Sequence, residues 1–172
     1  MMLDHYRMFA DYNLWANRLV YEAAGRLDDA QYRQNKGAFF GSLHATLNHV
    51  LAADRIWMKR FTSTGDAPTT LDGILFDNFT ELATARAAED ARIVTFVASL
   101  TENALAGRFT YTPVSNPTPV TQRLAPPLAH FFNHQTHHRG QCHMTLTALG
   151  SPSLALDMSY FLRAPEYRHY AE

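Results

Sequence analysis

The chain has 172 residues, 47% of them hydrophobic, with 15 lysines and arginines against 16 aspartates and glutamates. This length and composition predict one compact domain over residues 1–172, exclude disordered and collagen-like chains, and, with no basic run, argue against a nucleic-acid partner. The single cysteine, Cys142, excludes an internal disulfide framework. The start Met1-Met2-Leu3-Asp4-His5 lacks the layout of a signal peptide, and no apolar run approaches the roughly 18 residues of a membrane span, so a cytoplasmic protein with no membrane partner is expected.

From about Leu3 to Leu27, Tyr6, Phe9, Asn13, Ala16, Leu19, Val20 and Ala23 recur at three-and-four spacing, which predicts an amphipathic helix broken at Asp28-Asp29. Gly41-Ser42 offers a second helix start with Ser42 as N-cap, and Ser63-Thr64-Gly65 stops that helix beyond Phe61. Both of its sides are weakly polar or apolar: Leu43, Leu47, Val50, Leu51, Met58 and Phe61 on one, Ala45, His49, Ala52, Ala53 and Ile56 on the other. A third helix is expected from about Asp77 to Leu105, rich in good helix formers and free of proline. Arg108-Phe109-Thr110-Tyr111-Thr112 through Val120-Thr121 alternate β-prone and polar residues around Asn116-Pro117, the pattern of a short ribbon or ordered loop. Pro126-Pro127 suit the first turn of a fourth helix that runs to Leu149 and stops at Gly150-Ser151-Pro152. The expected fold is all-α, an antiparallel four-helix bundle with a short ribbon or loop before the last long helix.

The nine histidines are the unusual feature, four of them being His130, His134, His137 and His138. On a wheel of ~100° per residue with His130 at zero, the apolar side carrying Leu128, Phe131, Cys142, Leu146 and Leu149 centres near ~130°. His138 at ~80° and His134 at ~40° lie nearest that side, whereas His137 at ~340° turns away. Two imidazoles four residues apart project from successive turns and suit zinc, nickel, copper or iron. A third ligand must come from another helix, and His49, set in a stripe of alanines, is the candidate. Three protein ligands with open positions match a catalytic rather than a closed structural site. A polar helix face for the pair, and a hydrogen-bonded core residue for His49, are the competing readings. His5, His44, His143 and His169 are expected at the surface or in such core roles, Cys142 as a buried inert thiol, and Trp15 and Trp57 as core or pocket-wall residues.

Asp11-Tyr12-Asn13-Leu14-Trp15-Ala16-Asn17, the run from Leu43-His44-Ala45 through His49 to Ile56-Trp57, and the run from His130 through Asn133-His134-Gln135-Thr136-His137-His138 to Gln141 resemble successive motifs of the DinB family. The tail Leu156-Asp157-Met158-Ser159-Tyr160-Phe161-Leu162 is similar to the family's closing segment, so the resemblance covers nearly the whole chain. It implies a four-helix bundle, commonly a homodimer, with one divalent transition metal, zinc or nickel, on His49, His134 and His138.

The wider superfamily that the chain resembles includes metal-dependent transferases and isomerases that use low-molecular-weight thiols. The leading expectation is therefore an enzyme that uses the open metal positions to activate such a thiol toward an electrophilic small-molecule substrate. Metal-dependent hydrolysis is the enzymatic rival. The histidine helix carries no acid between His130 and Leu149, which leans toward thiol chemistry, while Asp54 and Asp157 keep hydrolysis open. A stress-induced, non-catalytic metal-binding or dimeric protein is the third reading. Asn48, Arg139, Gln141 and Tyr160 are candidate contacts to the substrate or to the ligands, and the catalytic residues stay unassigned.

Overall fold

The computed structural model describes residues 2–114 and 116–172; Ser115, within the expected ribbon segment, and Met1 lie outside the described residues. Helix α1 (Met2–Ala24) buries Tyr6, Ala10, Asn13, Ala16, Asn17, Val20 and Ala24 along one side. It ends short of Leu27, and Asp28 then starts a short helix, α2 (Asp29–Arg33), that the sequence reading did not anticipate. The Asp28 carboxylate accepts from the Gln31 amide at 2.7 Å while the Gln31 side chain accepts from the Asp28 amide at 3.2 Å, a reciprocal capping box.

Helix α3 (Leu43–Thr62) begins at Ser42, whose hydroxyl accepts from the Ala45 amide at 3.1 Å, and ends at Ser63 in the left-handed region. Helix α4 (Phe79–Ser99) is capped by Asn78 and stops before the expected Leu105. Leu100 is extended, and the Thr101 hydroxyl accepts from the Ala104 amide to cap a separate helix, α5 (Glu102–Ala106). A side-chain oxygen that satisfies a new helix start competes with continuation of the old one. The break also lets Leu100 and Leu105 both enter the core.

Strands β1 (Arg108–Tyr111) and β2 (Val120–Arg123) form an antiparallel ribbon with Arg108 opposite Arg123. Helix α6 (Ala125–Ala148) carries its two prolines in the first turn and ends at Gly150, whose positive φ allows Ser151 to donate back to the Leu146 carbonyl. Helix α7 (Met158–Phe161) and a 3-10 turn (Arg168–Tyr170) complete a predominantly helical chain. Each of the long helices α1 and α3 packs against both α4 and α6. No helix among the described residues is long and apolar enough to cross a membrane.

The apolar core divides along these helices. One cluster contains Tyr6, Met58, Ile93, Val97, Leu128 and Phe131, and another Val20, Leu43, Leu47, Leu51, Leu82 and Leu146. On every long helix the residues between those two sets include buried polar ones: Asn13 and Asn17 on α1, Asp54 on α3, Arg86 and Asp90 on α4, Gln135 and Arg139 on α6. Arg86 bridges Asp54 and, at 3.0 Å, Asp90; Asp90 accepts from Asn13 and Asn17; Gln135 donates to Asp54. Complete burial raises the Asp54 carboxyl to about 7 despite the Arg86 guanidinium beside it. Buried ions are tolerated only when paired and hydrogen-bonded, so this layer fixes the azimuth of all four long helices and hence the face that α6 turns toward α3.

Candidate metal centre

Successive turns of α6 place His134 and His138 side by side, and α3 brings His49 against both. The His49 Nε2 lies 3.3 Å from His134 Nε2 and 3.2 Å from His138 Nε2, and the three ligating atoms fall within 4.8 Å of one another. His49 and His138 are buried, His134 partly so. Two nitrogens each about 2.0–2.1 Å from one tetrahedral ion stand about 3.3 Å apart, which is the spacing seen here.

The hydrogen bonds on the far sides of the rings set the tautomers. His49 Nδ1 lies 2.7 Å from the Leu71 carbonyl, an obligate acceptor, so Nδ1 carries the proton. His138 Nδ1 lies 2.8 Å from Gln141 Oε1, and the same amide turns its NH2 to His137 Nε2 at 3.2 Å, so His138 Nδ1 donates as well. Both Nε2 atoms therefore present lone pairs to each other with no proton between them. Such an arrangement is unfavourable unless a cation lies between the nitrogens, and the donor set fits a divalent transition metal.

The surroundings favour the neutral imidazoles that a metal requires. Burial, followed by the neighbouring His138 and His49, lowers the His134 pKa to about 3. His49 is lowered by burial, opposed by its bond to Leu71 and by Asp72, and His138 by burial, opposed by Gln141. His137 is exposed.

The other residues singled out from the sequence have divergent positions. Gln141 holds His138. Asn48 is fully buried and pins the segment after α3: its Oδ1 accepts from the Leu75 and Phe76 amides at 2.9 Å each, and its amide donates to the Phe76 carbonyl. The same segment carries Leu71, four residues before Leu75. Arg139 faces α1 instead, bonded to Asn13, Asn17 and Thr136 and lying over the Tyr12 ring. Tyr160 is 47% exposed and carries Arg163 over its ring. Cys142 is buried and its thiol is pushed up to about 12.

Two contributors escaped the sequence reading. Phe40 stacks on His49 with ring centroids 4.0 Å apart, held by a tight turn in which Gly41 at φ +80° donates to the Ala38 carbonyl. The Leu71 carbonyl is the other. A backbone acceptor has no residue-type signature, and Phe40 reads in sequence only as one of a loop pair with the exposed Phe39.

Residues 2–168 match the profile of the DinB family. The chain belongs to the DinB family. No curated protein matches it. Membership in the DinB family and a buried histidine triad able to hold a divalent ion together fit a metal-binding protein.

Proposed function

We propose that this DinB-family chain is a metal-dependent enzyme of the thiol S-transferase or isomerase type, a single antiparallel four-helix bundle domain with zinc or nickel on His49, His134 and His138. The pairwise packing of α1, α3, α4 and α6 supports the bundle, and the opposed Nε2 lone pairs of His49 and His138 are the observation that carries the metal assignment. Resemblance to the family supports a homodimer, and the sequence supports a cytoplasmic location.

When bound, a divalent ion would supply Lewis acidity that keeps a thiol deprotonated at neutral pH. The protein's part is positional. Leu71 and Gln141 fix the ring planes of His49 and His138, Asn48 pins Leu75 and Phe76 in the segment that carries Leu71, and Phe40 covers one face of the His49 ring. The acids that kept hydrolysis open favour thiol chemistry by their positions. Asp54 is engaged by Arg86 and Gln135 inside the polar layer, and Asp157 is exposed before α7. Asp72, exposed and next to Leu71, acts on His49 electrostatically and is the acid on which a hydrolytic reading would rest.

The test is spectroscopic. Millimolar low-molecular-weight thiols added to the Co2+-loaded protein are expected to raise a near-ultraviolet sulfur-to-metal band. An unchanged spectrum removes the thiol reading and gives hydrolysis the lead, with Asp72→Asn as its first variant. Turnover with neither a thiol and electrophile panel nor an ester panel leaves the non-catalytic metal-binding reading.

A further inference from the structure

A cavity of ≈ 300 Å³ opens beside His134 and extends to Arg60 near the C-terminal end of α3, walled by Trp57, Tyr111 and His130. That volume is at the small end of the range for sites that take small molecules. Part of its wall is a run of close rings: His134 to His130 at 5.9 Å, His130 to Trp57 at 5.3 Å, Trp57 to Tyr111 at 5.0 Å between centroids. Arg60 closes the far end, its Cζ 4.7 Å from the Trp57 ring centre and 5.1 Å from that of Tyr111.

The charge of the cavity is one-sided. Its lining carries a guanidinium and two imidazoles and includes no carboxylate. Four other arginines that are buried or half-buried within the fold meet acids: Arg86 meets Asp54 and Asp90, Arg55 and Arg92 meet Glu89, Arg33 meets Asp77; buried Arg139 instead spends its donors on the Asn13, Asn17, Gln135 and Thr136 side chains. Among the described residues no ion pair to Arg60 is formed. Its one hydrogen bond, from Nη2 to the Thr112 carbonyl at 2.8 Å, leaves most of the fork's donors unused, and burial lowers its pKa. A half-buried guanidinium lying over two adjacent aromatic rings, with unused donors and no counter-ion among the described residues, is a receptor for a planar anion.

We propose that the molecule bound next to His134 is an elongated small organic acid whose carboxylate is held by Arg60, with Trp57 and Tyr111 gripping the connecting atoms. This deepens the metal-enzyme reading above and rests on it for the position of the reacting end. Arg60 is a specificity-determining residue here: it selects the acid over its neutral isostere and stands away from the reacting centre.

Two measurements on the zinc-loaded protein test it. In the first, indole 1H–15N signals are followed during titration with hexanoate and with hexanamide. The Trp57 signal is expected to shift with hexanoate at an affinity at least about tenfold above that for the amide, and the preference is expected to vanish in Arg60→Gln while metal content stays that of the parent. In the second, 6-mercaptohexanoate and 6-mercaptohexanamide are compared on the Co2+ form, and only the acid should lose affinity in Arg60→Gln. Equal binding of acid and amide to the parent protein, or an Arg60→Gln variant that keeps the preference, overturns the carboxylate assignment. Absence of a sulfur-to-metal band with both thiols, together with a hexanoate-specific Trp57 shift, refutes the thiol reading and leaves the anion site standing. Arg60→Lys separates recognition from loop support: it should retain part of the acid preference, whereas a role confined to bracing Thr112 predicts that acid and amide affinities fall together.

Discussion

Substituting His138 by alanine removes one of the three converging nitrogens, 3.2 Å from His49 Nε2, and leaves two imidazoles on different helices. Removal of an outer partner such as Gln141 typically costs about 10- to 100-fold in metal affinity, or about 1.4 to 2.7 kcal/mol. Loss of a ligand itself must exceed that range, so His138→Ala is expected to lose stoichiometric zinc at concentrations where the parent is saturated. Gln141→Ala should fall inside the range, because it frees the ring whose Nδ1 proton it accepts at 2.8 Å. His137→Ala should lie below it: His137 is exposed and touches the site only through the far amide of Gln141, at 3.2 Å. Competition against a chromophoric zinc chelator measures all three, with circular dichroism confirming that each variant is folded. An order in which His137→Ala is damaged more than His138→Ala would falsify the ligand assignment and require α6 to be rotated about its axis.

The pH dependence of the metal-free protein follows from the depressed histidines. His49, His134 and His138 all titrate below the ordinary imidazole range in the folded state, so between about pH 6.5 and the folded values the unfolded chain binds more protons. Their contribution to stability is therefore full above about pH 6.5 and declines as pH falls toward the His134 value of about 3, while Asp54, raised to about 7, acts in the opposite sense in parent and variant alike; acidification from pH 7 to 5 should lower Tm more, or raise it less, in the parent than in His134→Gln. The same pH dependence of Tm in parent and His134→Gln contradicts the assignment. In the polar layer, Arg86→Met strands Asp54 and Asp90 without their shared cation and should cost about 3–5 kcal/mol in urea unfolding. A loss below about 1 kcal/mol would show that water reaches the layer.

What could be read from the sequence was whatever depends on residues a turn or two apart. Ser42 before Leu43, Pro126-Pro127 at the head of α6 and Gly150 at its end mark helix limits because capping and φ preference act within a few residues. The four-residue spacing of His134 and His138 set them on one face, and the family motifs supplied His49 as their partner. The break at Leu100-Thr101 was missed because helix propensity over Phe79–Ser99 masks a local cap whose advantage includes the tertiary burial of Leu100 and Leu105. Tertiary structure alone decided the remainder. The Leu71 carbonyl and the Phe40 ring reach His49 from loops whose course depends on Asn48 and on a glycine turn. Arg139 faces inward because the polar layer requires a partner for Asn13 and Asn17 there. Among the described residues Arg60 meets no acid, because β1 and the loop after it supply an aromatic ring and a carbonyl instead. In each case the energy comes from groups far apart along the chain, whose meeting is set by how the helices pack and not by the periodicity within any one of them.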